Sequence, residues 1–289
     1  MQVGAFRHPI HAPTDSDSYW RCLQCNPSPP LWRGPNTVAH SLECELVPES
    51  IRLPITMLPQ PDETTCGPTS LHAVYSFWGE AQTLSEVIQR TGKMEHGGTL
   101  AVFLACDALR HGYSATIYTY NLNVFDPTWF VKPGIDIAER LKQQQAIKMD
   151  YRLQNATTGY LEFLKLGGRL RLFDLNAGLL HGLLHRQLPI ITGVSSTYLY
   201  RMAREYGPDD IADDVRGSPS GHFIVIAGYD RARRQVLVMD PYAQNPYDKT
   251  LEYWLSIDRV IGAVLLGIVT HDANLLVIHP NTLIPKKSS

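Results

Sequence analysis

A cysteine lies at the start of a predicted helix in the stretch QPDETTCGPTSLHAVYSFWG, residues 60–79. Apolar residues recur at helical spacing after Cys66, and Pro68 suits the first turn of a helix. The thiol of Cys66 is therefore expected to face unpaired backbone N–H groups and the positive end of the helix dipole. Such a position favours the nucleophilic thiolate, whereas the alternative interpretation is a small buried cysteine.

A histidine and an aspartate fall on a predicted hairpin far downstream. Residues 221–230 and 235–241 are strand-like and are joined by a short polar turn. A regular hairpin centred on residue 231 puts His222 directly opposite Asp240, with Cβ atoms about 5 Å apart. A carboxylate beside an imidazole fixes its tautomer and stabilises the imidazolium that a thiolate needs as its partner. The alternative is a histidine bonded to backbone and an aspartate that ends a strand.

Gln60 precedes the cysteine by six positions on the loop that leads into its helix. Acyl transfer to a thiolate builds negative charge on the substrate oxygen, so hydrogen-bond donors must already be in place. A side-chain amide at residue 60 and the backbone N–H of Cys66 are two such donors. The alternative is a polar loop residue with no catalytic role.

The sequence resembles the C39-like branch of the papain-like cysteine peptidases, typified by the leader-cleaving domains of bacteriocin exporters. The resemblance rests on Gln-x5-Cys-Gly-Pro-Thr-Ser, Gly-His-Phe-Ile-Val-Ile and Val-Leu-Val-Met-Asp-Pro, and it covers about residues 53–270. It implies Cys66 as nucleophile, His222 as general acid and base, Asp240 as the carboxylate that orients His222, and Gln60 in the oxyanion hole. It also implies an α+β papain-like fold, with N-terminal helices that include the cysteine helix and a C-terminal antiparallel sheet carrying the histidine and aspartate.

The chain also departs from the bacteriocin processors. Those proteins are usually fused to a membrane transporter with an ATPase, and the 289 residues contain neither. Cleavage after a double glycine is therefore not expected to carry over. Residues 120–200 match none of the motifs and are expected to build the substrate cleft. The polar segment 204–221 leads straight into His222 and is expected to be a lid over the cleft or a solvated surface loop.

The wider pattern predicts helices first and strands later, which is typical of an α+β fold. Helices are predicted at 83–92, 98–112, 135–148, 157–167 and 176–187, in addition to the cysteine helix. Strands are predicted at 114–122, 189–194, 221–230, 235–241 and 274–280. Residues 51–289 are interpreted as one catalytic domain. Residues 1–50 are rich in proline and poor in apolar periodicity, so they are interpreted as an irregular N-terminal extension.

Other residues with possible chemistry also have simpler structural interpretations. Four residues of the extension have nearly the spacing of a zinc site, namely Cys22, Cys25, His40 and Cys44. The segment lacks the apolar pattern of a small zinc fold, so a loosely docked tail is favoured. Cys106 lies within an amphipathic helix and is predicted to be core. His181 and His185 are four residues apart on a helix, but no third metal ligand is visible.

Composition restricts the possible partners. The chain is 44% hydrophobic with a formal net charge of -2, so bulk charge predicts no nucleic-acid partner. The longest apolar run, residues 260–269, is too short to span a bilayer, and the N-terminus has no apolar signal region. Five cysteines without an export signal indicate reduced thiols and a cytoplasmic location. The expected partner is a peptide or amide substrate, with no metal or organic cofactor, and the sequence does not define the oligomeric state.

Three functions remain open from the sequence. The first is a cysteine peptidase or amidase that forms an acyl-enzyme on Cys66. The second is an acyltransferase or transpeptidase that uses the same acyl-enzyme with an amine acceptor. The third is a non-catalytic module that binds peptides. The complete set of glutamine, cysteine, histidine and aspartate favours an enzyme over a binding module.

Overall fold

The structure is a computed structural model that describes residues 48–92, 98–248, 250–270 and 272–281. All of these residues belong to one compact unit, Leu46–Ser289. Most of the predicted N-terminal extension lies outside the described residues, and so do the zinc candidates Cys22, Cys25, His40 and Cys44. The division at residue 50 and the zinc hypothesis therefore stay predictions.

The helices of the described residues include each one that the sequence predicts. Their bounds are α1 Cys66–Phe77, α2 Leu84–Arg90, α3 Ala101–Arg110, α4 Thr128–Val131, α5 Ile137–Ile147, α6 Tyr151–Lys165, α7 Ala177–His185, α8 Ser196–Tyr200 and α9 Ile257–Leu266. A 3-10 turn follows α9 at Gly267–Thr270. Within the described parts of the chain, every helix falls short of the length and apolar character needed to cross a membrane.

Local sequence explains where several of these helices begin. Thr83 and Glu86 form a reciprocal capping box at the start of α2. Asp136, Asp150 and Asn176 precede α5, α6 and α7, and their side chains accept hydrogen bonds from backbone N–H groups of the first turn. These polar residues stabilise the exposed helix ends independently of the core.

The strands form one large sheet and one small ribbon. Their bounds are β1 Ser50–Arg52, β2 Tyr113–Thr119, β3 Arg169–Arg171, β4 Ile190–Ser195, β5 Glu205–Tyr206, β6 Ile211–Ala212, β7 Gly221–Asp230, β8 Gln235–Met239, β9 Glu252–Ser256 and β10 Asn274–Pro280. The large sheet has the order β3-β2-β10-β4-β7-β8-β9, and β1 also pairs with β7. The strands β5 and β6 form the separate ribbon.

The sheet confirms an α+β fold but mixes early and late segments of the chain. Strand β10 lies between β2 and β4, so the last strand joins one from the helical first half. The sheet is antiparallel except for the parallel pair β2 and β3. Leu275, Leu276 and Ile278 are completely buried, which shows that both faces of β10 are covered. Helix α1 packs against β7, and α3 packs against β2 and β10.

The hairpin of β7 and β8 has a different register from the predicted one. Asp230 pairs with Gln235 beside a four-residue turn, whereas Val225 pairs with Met239, because one extra residue of β7 is accommodated between Ile226 and Gly228. Such an extra residue is a β-bulge. Asp240, the residue after Met239, is therefore level with Ile224. The prediction that His222 and Asp240 lie directly opposite each other is wrong; they are diagonal neighbours on one face of the hairpin.

Backbone contacts with the chain before α1 stabilise the bulge. The carbonyl of the extra residue, Ala227, accepts a 2.8 Å hydrogen bond from the N–H of Leu53. A Cβ atom on the adjacent Gly228 would lie 2.4 Å from the carbonyl oxygen of Ile51, which is too close for any other residue. The glycine therefore allows β1 to approach β7 at the bulge.

Candidate active site

Cys66 is the first residue of α1 and is only 8% exposed. The residue before it, Thr65, makes no side-chain capping bond to the first turn of α1 within the described chain. Its hydroxyl donates instead to the carbonyl of Asp62 at 3.0 Å. The N–H groups at the start of α1 are therefore left facing the thiol and whatever binds beside it.

Glycine at position 67 lets neighbouring side chains pack closely against the start of α1. A Cβ atom there would lie 2.4 Å from the Thr99 methyl group and 3.3 Å from the Phe223 ring. The hydroxyl of Ser70 donates to the carbonyl of Phe223 at 3.4 Å, which ties α1 to β7 next to His222. The Cys-Gly-Pro-Thr-Ser run thus brings the cysteine helix against the strand that carries the histidine.

His222 and Asp240 form a buried pair. Nε2 of His222 lies 2.8 Å from Oδ1 of Asp240, with the histidine 8% exposed and the aspartate completely buried. Because Nε2 bonds to the carboxylate, it carries a proton and Nδ1 is the ring nitrogen left for the thiol. The thiol of Cys66 lies within interaction distance of the His222 ring, and both residues line the same cavity. The structure therefore brings together Cys66, His222 and Asp240, although the register of the hairpin differs from the predicted one.

Electrostatics favour an imidazolium at His222. Burial alone would lower the pKa of this histidine, but the charge and hydrogen bond of Asp240 and the interaction with Cys66 raise it to about 10. Burial opposes ionisation of Asp240 as well, yet His222, Tyr253 and Tyr200 hold the pKa of that carboxyl below its usual range. The pair is consequently ionic at neutral pH, as a thiolate partner must be.

Asp240 accepts hydrogen bonds on both oxygens. Oδ1 also receives the backbone N–H of Tyr242 at 2.9 Å. Oδ2 receives the hydroxyls of Tyr200 at 2.7 Å and Tyr253 at 2.5 Å. The sequence did not predict either hydroxyl as a partner of the carboxylate. The available signal was weak: a buried tyrosine needs a partner for its hydroxyl.

Gln60 lies on the expected loop, next to the residue that follows Asp240. Its backbone N–H donates to the carbonyl of Pro241 at 2.9 Å. Its side-chain Nε2 donates to the carbonyl of Asp62 at 3.0 Å, and Oε1 is buried without a partner in the described part of the chain. One hydrogen of Nε2 is thus used within the loop, and the second is left for another acceptor.

A cavity of about 450 Å³ opens over Cys66 and His222. From the region 120–200 it is lined by Arg152, Gly193 and Val194. Ser218 and Pro219 come from the segment 204–221, which carries the ribbon of β5 and β6. Both stretches that the sequence analysis associated with the cleft therefore border this cavity. Gly98 and Thr99 also line it.

A buried carboxylate that the sequence did not single out, Asp272, lies in the cavity wall. Asp272 is 5% exposed, and its Oδ2 accepts the N–H of Ala101 at the start of α3 at 2.5 Å. Oδ1 receives the side-chain amide of Asn274. Burial raises the pKa of Asp272 to about 7, although both hydrogen bonds oppose the rise.

The remaining candidates, Cys106, His181 and His185, lie outside the cavity over Cys66. Cys106 is buried in α3, as predicted, and burial followed by the nearby Glu162 raises its pKa to about 12. The His181 ring stacks on Tyr229 with centroids 4.2 Å apart, while His185 is exposed. Across the described residues, no group of three or more histidine, cysteine or acidic side chains is arranged to hold a metal.

Comparison with known proteins finds similar solved structures, of which three are described. The peptidase domain of Streptococcus ComA, a bifunctional ABC transporter of a quorum-sensing pathway, is 14% identical, with a TM-score of 0.36 and coverage of 78% of this chain and 99% of that one. A double glycine motif protease from an AMS/PCAT transporter, solved with its leader peptide, is 13% identical, with a TM-score of 0.38 and coverage of 80% and 94%. Xylellain, a cysteine protease from Xylella fastidiosa, is 13% identical, with a TM-score of 0.42 and coverage of 81% and 86%.

Sequence comparison is more decisive. A search of curated protein sequences finds no match. The model of the Peptidase_C39 like family, however, matches residues 52–260, which include Cys66, His222 and Asp240. The predicted resemblance to C39-like peptidases is confirmed, and the chain belongs to the Peptidase_C39 like family.

Proposed function

We propose that the protein is a cysteine peptidase or amidase that cleaves a peptide or amide bond through an acyl-enzyme on Cys66. The observation that carries this proposal is the 2.8 Å bond between His222 and the buried Asp240, with Cys66 at the start of α1 beside the same imidazole. Family membership alone does not separate peptidases from non-catalytic relatives. The ionic His222–Asp240 pair next to a helix-start thiol supports the catalytic interpretation.

In the acylation step, Sγ of Cys66 attacks the substrate carbonyl carbon, and the carbonyl π electrons move to oxygen. The backbone N–H of Cys66 and the remaining Nε2 hydrogen of Gln60 stabilise this oxyanion. Nδ1 of His222 donates its proton to the leaving nitrogen, and the C–N bond breaks. An amine leaves, while a thioester remains on Cys66 beside a neutral imidazole.

In the deacylation step, water attacks the thioester carbon as Nδ1 of His222 takes its proton. The C–S bond then breaks and a carboxylic acid leaves, which restores the thiolate and the imidazolium. Asp240 holds the same tautomer through both steps. The chemistry requires no metal or organic cofactor. The proposed location is the cytoplasm, which rests on the cysteine content of the sequence.

The test uses a small ester and a trapped peptide. Wild-type protein should hydrolyse p-nitrophenyl acetate and show a transient acetyl group on Cys66 by intact mass spectrometry. Cys66→Ala should do neither, whereas Cys106→Ala is the matched control and should behave as wild type. Peptides captured from a synthetic library by Cys66→Ala should then be cleaved by the wild-type protein.

Each alternative predicts a different product. An acyltransferase would convert the captured peptide to a new amide when a free amine is added, at the expense of the acid. A non-catalytic module would bind the peptides but form neither acyl-enzyme nor product. Either result would replace the hydrolase proposal.

A further inference from the structure

We propose that Tyr200 and Tyr253 are positioning residues of the active site, which keep Asp240 ionised and hold its carboxylate in the orientation that faces His222. Both hydroxyls donate to the same oxygen, Oδ2, at 2.7 Å and 2.5 Å. Oδ1 is thereby left for His222 and the backbone N–H of Tyr242. The assignment rests on the proposed function, since it concerns the same carboxylate.

The need for two donors follows from the burial of Asp240. The residue is completely buried, and an isolated carboxylate in such a place would bind a proton. Four hydrogen bonds replace the water that it has lost. Hydrogen bonds to the charged form favour that form, so each tyrosine hydroxyl lowers the pKa of the carboxyl. The tyrosines remain donors themselves, because burial, followed by the charge of Asp240, raises the pKa of both far above the usual value.

The two hydroxyls come from separate elements that are fixed independently. Tyr253 lies on β9 and pairs with Val238 of β8, two positions before Asp240. Tyr200 is the last residue of α8. The backbone N–H of Ser196, the first residue of that helix, donates to the carbonyl of Ser220 at 3.0 Å. One donor is thus held by the strand next to Asp240, and the other by a helix tied to the chain just before His222.

The described groups that face the Asp240 carboxylate form one cluster. They are His222 from β7, Tyr200 from α8, Tyr253 from β9 and Tyr242 after β8, with Cys66 of α1 beyond the imidazole. The charges of Glu63 and Glu205 act on Tyr242. His222 is therefore the cation beside Asp240, and the two tyrosine hydroxyls, with the backbone N–H of Tyr242, supply the remaining stabilisation of the anion.

The cluster also contains a matched control. Tyr247 packs against Tyr253 with ring centroids 4.9 Å apart, but its hydroxyl donates to the carbonyl of Leu199 rather than to Asp240. Tyr247→Phe therefore removes one hydrogen-bonded hydroxyl from the same aromatic cluster and leaves all four bonds to the carboxylate in place. It separates loss of packing and stability from loss of a donor to Asp240.

The experiment follows the side-chain carboxyl carbon of Asp240 by carbon-13 NMR in protein labelled at aspartate, from about pH 3 to about pH 8. Asp240→Asn assigns the signal. In the wild-type protein, Asp240 should titrate with a pKa below the usual range of an aspartate carboxyl. Tyr200→Phe and Tyr253→Phe should each raise the titration midpoint by about one pH unit, and the double variant by about two. Tyr247→Phe should titrate as wild type, whatever its melting temperature.

A second measurement links the carboxyl to the thiol. The rate at which iodoacetamide labels Cys66 is measured across pH. The low-pH limit of fast labelling should move to higher pH in the two single variants and stay unchanged in Tyr247→Phe. If the single variants keep the wild-type carboxyl titration, or if Tyr247→Phe shifts it equally, the assignment is overturned. The single variants decide the matter even if the double variant does not fold. Because neither measurement needs turnover, a wild-type protein inactive on all esters and peptides would refute the proposed function and not this assignment.

Discussion

The backbone N–H of Gln60 donates a 2.9 Å hydrogen bond to the carbonyl of Pro241, the residue that follows Asp240. This bond ties the loop before the cysteine helix to the end of the strand that presents the carboxylate. It uses backbone atoms alone, so a change of side chain at residue 60 leaves it intact. The role of the Gln60 amide can therefore be tested without releasing the loop.

Gln60→Ala is expected to reduce turnover of p-nitrophenyl acetate by roughly 10²–10³-fold, the effect of losing one oxyanion donor. Labelling of Cys66 with iodoacetamide should stay close to the wild-type rate, because alkylation builds no oxyanion. Both rates are measured on the same preparation. If both fall together, Gln60 shapes the site; if neither falls, it is only a loop residue.

Cys66 is expected to react with iodoacetamide much faster than Cys106 near neutral pH. Cys66 lies beside an imidazolium at the start of α1, whereas burial raises the pKa of Cys106 to about 12. His222→Ala should slow labelling of Cys66 and abolish turnover, because it removes both the cation and the proton donor. Peptide mapping after a brief pulse gives both rates. Equal labelling of the two cysteines in wild-type protein would contradict the prediction.

Asp240→Asn is expected to reduce turnover and move its alkaline limit to lower pH. The charge of Asp240 is the largest of the effects that oppose burial and raise the pKa of His222 to about 10. Without this charge, burial lowers the pKa, so the imidazolium that Cys66 needs is lost at a lower pH. Ester hydrolysis measured across pH gives the shift. Cys66 should still label faster than Cys106 because the N-terminus of α1 is unchanged. An unchanged alkaline limit would count against the role of Asp240.

The free energy of unfolding of Asp272→Asn, compared with that of the wild-type protein, is expected to increase as the pH rises. Because burial raises the folded-state pKa of Asp272 to about 7 from 3.8, the folded protein holds a proton that the unfolded chain has lost. Wild-type stability must therefore fall between these two pH values, by as much as about 4 kcal/mol, and asparagine removes this fall. Thermal unfolding of both proteins at about pH 5 and about pH 8 measures the difference. A gap that does not change with pH would show that Asp272 does not titrate as described.

Removing residues 1–47 is expected to leave the melting temperature and the labelling of Cys66 unchanged, since the described fold begins later. Removing residues 1–53 is the contrasting truncation. It deletes β1, the bond from Leu53 to Ala227 at the bulge, and a leucine that is 1% exposed. Loss of one such leucine side chain typically costs about 2–5 kcal/mol, so this protein should unfold at a clearly lower temperature. A similar loss in the shorter truncation would show that the extension packs on the domain.

Local sequence was enough to find the cysteine helix and the two strands of the hairpin. Proline in the first turn and apolar residues at helical spacing define the start of α1 at Cys66, because both depend on neighbouring residues only. Short continuous apolar runs bounded by polar residues likewise define β7 and β8. The sequence thus determined which segments carry Cys66, His222 and Asp240, and it identified the family through their motifs.

Tertiary structure decided how these segments meet. The register next to the turn, if continued, would pair Asp240 with Val225, whose side chain points away from the face of His222. One extra residue at the bulge shifts the pairing to Ile224 and restores the shared face. Because side chains alternate with a period of two, a single unpaired residue decides whether the two groups can meet. The extra residue, Ala227, is held by a backbone hydrogen bond from Leu53, and no local sequence pattern predicts this bond.

The partners of the carboxylate are equally non-local. Tyr200 and Tyr253 are 40 and 13 residues from Asp240, and Asp272 reaches Ala101 across 171 residues. Helix periodicity and strand alternation predicted the elements that carry Asp240 and Ala101, but they predicted no element for Tyr200, Tyr253 or Asp272. A buried hydrogen bond forms wherever packing brings a donor to an acceptor that has lost its water. The sequence therefore determined the reactive groups, whereas only the packed structure decided which donors keep Asp240 charged.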